Sequence, residues 1–245
     1  MEEQLWLACK DGMIEDVRKL LQSSEINPNH QFYYDQTPFY VACQNGHTDI
    51  VKLLLNDQRV DINKANKSGW TPFYIACSFG HTEIVKLLWN DQRVDVNHTS
   101  EYGTPFYVAC FYGNIEIVKL LLNYQRIDVN KADAYGKIPF YVACFYGNIE
   151  IIEYILANGR GVNVSIKDIK GETAIDIARR RGNEEKRDWG ENEEESEEKF
   201  QERKRRYGKI VELLESFKRN PIETRLKLRL KLELAGKIQF YFIDN

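Results

Sequence analysis

The sequence predicts an all-α repeat stack in which short helix-turn-helix units pile up and share one continuous core. Three observations carry this expectation. The string Thr37-Pro38-Phe39-Tyr40 returns as Thr71-Pro72-Phe73-Tyr74, Thr104-Pro105-Phe106-Tyr107 and Ile138-Pro139-Phe140-Tyr141, at intervals of 34, 33 and 34 residues, and a fixed period in this range marks a solenoid or an array. Each copy opens on a helix-start signal and reaches a glycine at the Gly-His or Gly-Asn pair. Each then continues into an Ile-Val-Lys-Leu-Leu type run, apolar over an arc too wide for one helix to bury alone.

Taken in order, the first unit is short in front: Leu5-Trp6-Leu7-Ala8-Cys9, then Gly12, then Val17-Arg18-Lys19-Leu20-Leu21. In the second, Thr37 supplies an N-cap and Pro38 occupies the first helical position, where its missing N–H costs nothing. Gly46 ends that helix, since glycine tolerates the left-handed C′ conformation. Ile50, Val51, Leu53, Leu54 and Leu55 then form the second helix. The third and fourth units repeat the scheme, the fifth replaces the leading Thr by Ile138, and the last reads Thr173-Ala174-Ile175-Asp176-Ile177-Ala178 followed by Gly182-Asn183.

The pattern T-P-(L/F)-(H/Y)-x-A-(A/C)-x-x-G-(H/N) resembles the ankyrin repeat family. The likeness covers about residues 1–217 apart from one insertion. It implies an ankyrin-repeat solenoid of six helix-turn-helix units with projecting hairpin loops, at about 1–31, 32–66, 67–99, 100–133, 134–167 and 168–217. It also implies protein binding without catalysis. Two departures stand out. The family's His is Tyr40, Tyr74, Tyr107 and Tyr141 here, so its hydrogen bond to Thr is replaced by a phenol or lost. The loop Asn56-Asp57-Gln58-Arg59-Val60-Asp61 lacks the usual glycine turn and is one residue longer.

The last unit is interrupted. A charged insertion at 184–207 carries nine acids and two bases over 184–198, then five bases and one acid over 199–206. Such blocks stay solvated or extend a helix. The second helix is expected to resume at Gly208. Arg203-Lys204-Arg205-Arg206 reads as a solvated lead-in to that helix or as a nuclear-import run. In the terminal segment 218–245, Asn220-Pro221-Ile222-Glu223 is a helix start, yet leucines at 226, 228, 230, 232 and 234 alternate with charges as in a strand. The cap and Gly236 favour a helix over 221–234, with Ile222, Leu226, Leu230 and Leu234 turned inward and Leu228 and Leu232 outward. The outward leucines and Ile238-Gln239-Phe240-Tyr241-Phe242-Ile243 form a packing patch, an oligomer contact or a continuation into a larger protein.

The composition excludes several functions. With 34 Lys+Arg against 37 Asp+Glu the net charge is −3, which disfavours a nucleic-acid binder. No run of 18 apolar residues occurs, so no membrane span is expected. Met1-Glu2-Glu3 lacks the basic start of a secretory signal, and five cysteines without one point to the cytoplasm, with the nucleus as the alternative. Cys9, Cys43, Cys77, Cys110 and Cys144 fall at one repeat position. Successive units lie about a helix diameter apart, on the order of 10 Å, too far for a disulfide or a shared metal. They are read as buried thiols beside the ladder Ala8, Ala42, Ala76, Ala109, Ala143 and Ala178, with Arg179 at the exposed end. His47 and His81 are read as helix-start residues. No nucleotide, metalloprotease or hydrolase motif occurs. The expectation is therefore no catalytic residue, no cofactor, no metal and no small-molecule substrate.

The architecture that the resemblance implies places loop tips and first-helix ends on a concave strip. The two positions before each glycine, Gln44-Asn45, Ser78-Phe79, Phe111-Tyr112 and Phe145-Tyr146, turn aromatic in the central units. Rigid aromatic area favours interfaces. Tyr34, Trp70, Phe79, Tyr102, Phe111, Tyr112, Tyr135, Phe145 and Tyr146 are therefore the candidate binding residues for a partner protein or peptide. The competing reading packs these rings between units, where they stiffen the stack. Two other roles compete with the scaffold: a regulatory or structural fragment whose tail docks another domain or self-associates, and a nuclear regulator using residues 203–206. A monomer is expected unless the tail associates.

Overall fold

A computed structural model describes residues 1–185 and 195–234. The insertion residues 186–194, the Gly236 stop, the apolar tail from Ile238 and the placement of the Leu234 side chain lie outside the described residues. The described residues are helical, without strands. They divide into two compact units, Met1–Ala134 and Tyr135–Asn245.

In the first unit the helices come in pairs: α1 (Glu2–Asp11) with α2 (Ile14–Leu21), α3 (Pro38–Asn45) with α4 (Thr48–Leu55), α5 (Pro72–Phe79) with α6 (Thr82–Asn90), and α7 (Pro105–Tyr112) with α8 (Ile115–Leu122). First helices pack on first helices and second on second, so the two rows close over one core. Phe39, Phe73, Phe106, Ile50, Ile84 and Ile117 fill that core, and Cys9, Cys43, Cys77 and Cys110 form the expected buried row. Asp16, at the position of Ile50, Ile84 and Ile117, faces solvent.

Four recurring sets, or ladders, of hydrogen bonds build the stack, the first within each helix and the other three between pairs. Thr37, Thr71 and Thr104 cap α3, α5 and α7, accepting from Tyr40, Tyr74 and Tyr107 N–H at 3.1, 3.2 and 3.1 Å. The phenols are retained but redirected: Tyr40 Oη accepts from Asn66 Nδ2 at 3.1 Å and Tyr107 Oη donates to Asp133 at 3.0 Å, so each reaches the following loop rather than its own Thr. His47 and His81 start α4 and α6 as expected, and their rings do more. His47 Nε2 donates to Lys10 O and His81 Nε2 to Gln44 O, both at 2.9 Å, and Asn114 Nδ2 donates to Cys77 O at 2.8 Å. Each clamps the carbonyl end of the preceding first helix, where orphan acceptors need donors.

The fourth ladder lies in the long loops. Asn63 Nδ2 donates to Arg93 O at 2.7 Å while its Oδ1 accepts from Asp95 N–H at 2.9 Å, and Asn29 and Asn97 repeat this toward Arg59 and Arg126. Arg59 is held by Asp57 at 2.6 Å and donates to Leu21 O at 2.8 Å; Arg93 is held by Asp91 at 2.6 Å and donates to Leu55 O at 3.0 Å. The extra loop residue thus serves an Asp-x-Arg clasp on the second-helix ends, doing the work of the absent glycine turn.

The second unit contains α9 (Pro139–Tyr146), α10 (Ile149–Asn158), α11 (Ala174–Asn183), α12 (Glu197–Arg219) and α13 (Pro221–Leu234). Here α9 packs on α10 and α11, α11 on α12, and α13 on both α10 and α12. Helix α11 runs through Gly182 to Asn183, and a Cβ there would meet Tyr207 Cβ at 3.1 Å, so the glycine admits α12 at close range. Two expectations are corrected. The second helix does not resume at Gly208, because α12 already begins at Glu197 behind the Ser196 cap. Nor is Arg203 solvated. It is 9% exposed, donates to Arg181 O and Glu185 O at 2.8 and 3.0 Å, and pairs with Glu195 at 3.0 Å, closing the C-terminus of α11.

The terminal segment is helical, but its faces are opposite to those expected. Leu228 and Leu232 are each 6% exposed, whereas Ile222, Leu226 and Leu230 are 71, 57 and 58% exposed. Leucines on every second residue give a helix two apolar faces, and polar neighbours choose between them. Arg225 and Arg229 flank Leu228 and donate to Leu156 O at 3.3 Å and Ala157 O at 2.9 Å, the carbonyl end of α10. Turning Leu226 inward would forfeit both.

Candidate protein-binding surface

The scaffold leaves certain first-helix ends and loop tips without work in the core, and the aromatic candidates occupy these places. In the first unit, Trp70 stands before Thr71 in a loop closed by Asn66, whose Oδ1 accepts from Trp70 N–H at 2.9 Å. Its ring stacks on Tyr74 at 5.6 Å and meets Tyr102 edge-on at 5.7 Å. Trp70 is half-buried, and its Nε1 is buried with no partner among the described residues. Tyr102 stays exposed. Burial first, and then the neighbouring phenols of Tyr112 and Tyr40, push the Tyr74 hydroxyl well above its ordinary pKa.

Phe79 and Tyr112 are the last residues of α5 and α7, each just ahead of a left-handed glycine that ends the helix. They are 56 and 60% exposed. Phe79 stacks on His81 at 6.1 Å, and Phe111, half-buried, meets Tyr112 edge-on at 4.7 Å. The expected partner-facing pair thus splits, with Tyr112 outward and Phe111 supporting it.

Tyr34 is exposed in a short 3₁₀ turn, Tyr33–Asp35, and carries a left-handed backbone with φ 56°. That conformation is costly for a side chain this large. A bridge between Phe32 and Gln36 and the donation of Lys67 N–H to Tyr34 O at 3.0 Å hold it. Tyr33 beside it is also exposed and packs against Trp6 at 5.3 Å. The Trp6–Tyr33 contact joins residues of different helical pairs and leaves no local spacing to find.

In the second unit, Tyr135 is an exposed loop-tip ring with Lys137 Nζ 5.4 Å from its centroid, and its carbonyl accepts from Ile169 N–H at 3.0 Å. Tyr146 is exposed at the end of α9, edge-on to Phe145 at 4.9 Å. Phe145 is half-buried beneath Arg181, whose Cζ lies 4.7 Å from its ring, and Tyr207 Oη donates to its carbonyl. Both readings are thus represented: Phe145, Phe111 and Trp70 pack within the scaffold, while Tyr34, Phe79, Tyr102, Tyr112, Tyr135 and Tyr146 present their rings to solvent.

The thiols offer no chemistry at this surface. Desolvation pushes Cys9 up to about 12 and raises Cys43, Cys77 and Cys144 well above the ordinary thiol value, so all stay protonated near neutrality.

A family model described as Ankyrin repeats (3 copies) matches residues 5–100 and 90–168. The crystal structure of EF0377, an ankyrin repeat protein, is similar at a TM-score of 0.67 and 28% sequence identity, covering 74% of this chain and 93% of that one. No curated protein matches the sequence.

Proposed function

Because the chain belongs to the ankyrin repeat family, whose repeats generally mediate protein–protein interaction, we propose that it is a non-catalytic scaffold or adaptor that holds a partner protein or peptide on its loop-tip and first-helix aromatics. The observation that carries this reading is the exposure of Phe79 and Tyr112 at repeat positions that the hydrogen-bond ladders do not use. Large rigid rings lose little conformational entropy on binding, and anchors of this kind dominate protein interfaces. Tyr102 and the Trp70 stack extend the same surface in the first unit, with Tyr34 beyond them.

Panning a random peptide library on the immobilised protein tests the reading. Peptides enriched on the wild type should lose at least tenfold in affinity on F79S/Y112S, whose changes leave the ladders intact. Enriched peptides that bind the double variant equally well would refute it.

A further inference from the structure

Helix α13 presents a stripe of its own that the scaffold does not use. Ile222, Leu226 and Leu230, spaced four apart, lie on one face and are exposed, while Thr224, Leu228 and Leu232 turn inward. At about 1.5 Å per residue, 14 residues make a helix roughly 20 Å long. Charge along this segment is one-sided: residues 218–233 hold Lys218, Arg219, Arg225, Lys227, Arg229 and Lys231 against Glu223 and Glu233. Arg225 and Arg229 donate to α10 carbonyls, Lys231 bridges to Glu153 at 2.5 Å, and Lys227 pairs with Glu223 at 2.5 Å. The side chains of Lys227 and Lys231 remain 74 and 61% exposed despite those pairs, and Lys218 and Arg219 are exposed at the end of α12.

Three occupants could cover such a face, and charge separates them. A second copy would oppose like charge with like charge. A partner protein would need far more surface than three aliphatic side chains on one convex helix provide. An anionic lipid surface needs neither a pocket nor a large footprint. It takes up aliphatic side chains at the headgroup–acyl boundary while Lys and Arg stems reach the headgroups, and the two contributions add.

We propose that α13 is a peripheral docking helix for anionic lipid surfaces, with Ile222, Leu226 and Leu230 entering the interface and Lys218, Arg219, Lys227 and Lys231 meeting the headgroups. This is surface attachment rather than spanning, as no described helix is long and apolar enough to cross a membrane. It is independent of the aromatic surface, so either reading can fail alone.

The test is co-sedimentation of the full chain with vesicles of equimolar phosphatidylcholine and phosphatidylserine, with phosphatidylcholine vesicles alone as the second arm. The expected result is binding to the mixed vesicles at low salt, at least tenfold weaker to phosphatidylcholine and falling as salt is raised. L226S/L230S should lose at least tenfold with its helical circular dichroism unchanged. K218Q/R219Q/K227Q, which alters only exposed positions, should lose the preference for phosphatidylserine. Absence of binding to mixed vesicles, equal binding by both variants, or retention on poly-glutamate without vesicle binding would each overturn the proposal; the last would assign the face to an acidic protein.

Discussion

The substitution Gly46→Ala probes the clamp between neighbouring repeats. Gly46 ends α3 with φ 78°, and a Cβ at this position would sit 2.7 Å from His81 Cε1 and 2.9 Å from Nδ1. The left-handed backbone costs a residue with a Cβ about 1 kcal/mol. The displaced ring also gives up its bond to Gln44 O, worth about 1 kcal/mol more. The expected loss is therefore about 2 kcal/mol in equilibrium urea unfolding. Gly69→Ala isolates the backbone contribution: φ is 75°, but the nearest atom is Ser100 Cβ at an ordinary 3.5 Å, so about 1 kcal/mol is expected. His81→Ala alone should cost about 1 kcal/mol. In the double variant the clash has no partner and the bond is already gone, so G46A/H81A should be no less stable than G46A. Independent sites would instead add to about 3 kcal/mol. An additive result would show that the His81 ring and Gly46 do not share one space, and would refute the clamp.

Other perturbations test the remaining contacts. Arg203→Ala removes the donor that closes α11 and the cation beside Glu195. It should destabilise by about 2–3 kcal/mol, and a loss under about 0.5 kcal/mol, the range of an ordinary surface substitution, would mean that the contacts do not form in solution. Hydrogen bonds from Arg59 and Arg93 hold the Asp57 and Asp91 carboxyls below the usual range. Their stabilisation is thus full above the unfolded value of about 4 and disappears as pH falls through that value toward the lowered ones. D57N/D91N should therefore lose less stability than the wild type between about pH 4 and pH 2, and parallel acid profiles would exclude the clasp. At neutral pH the buried thiols should react with a disulfide reagent only as fast as the chain opens; burst labelling of Cys43 or Cys77 in the native protein would contradict their burial.

The helix boundaries were legible because the signals for them are local. Thr37-Pro38 and Gly46 each act within a few residues of themselves, and the structure starts and stops α3 where they stand. What was missed lies across the repeat. Asn63 serves Arg93 O and Asp95 N–H, 30 and 32 residues on. His47 serves Lys10 O, 37 residues back. Nothing beside Asn63 or His47 in the chain marks these partners, although both stand in strings that recur. The faces of α13 failed differently: leucines on both sides made hydrophobicity indifferent, and two arginines that looked like surface charge decided the matter by reaching the end of α10.

The same reasoning separates what the repeat conserves within itself from what it leaves open. Positions used by a ladder keep one chemistry across the pairs that open on α3, α5 and α7: Thr before Pro, Tyr at the third helical position, His or Asn after Gly, with Asn29, Asn63 and Asn97 in the long loops. At the two positions ahead of the glycine, Gln44-Asn45, Ser78-Phe79 and Phe111-Tyr112, the ladders use backbone carbonyls such as Gln44 O and Ser78 O, so the side chains are left open. Since stability comes from the ladders and the buried row beneath them, the side chain at Phe79 or Tyr112 can change without disturbing the stack. A surface under that freedom would drift toward small or charged residues if it faced only water, because exposed rings offer aggregation a foothold. Its aromatic composition therefore favours a partner that covers it. Phe111 and Phe145, half-buried beneath their neighbours, act as supports for the exposed Tyr112 and Tyr146.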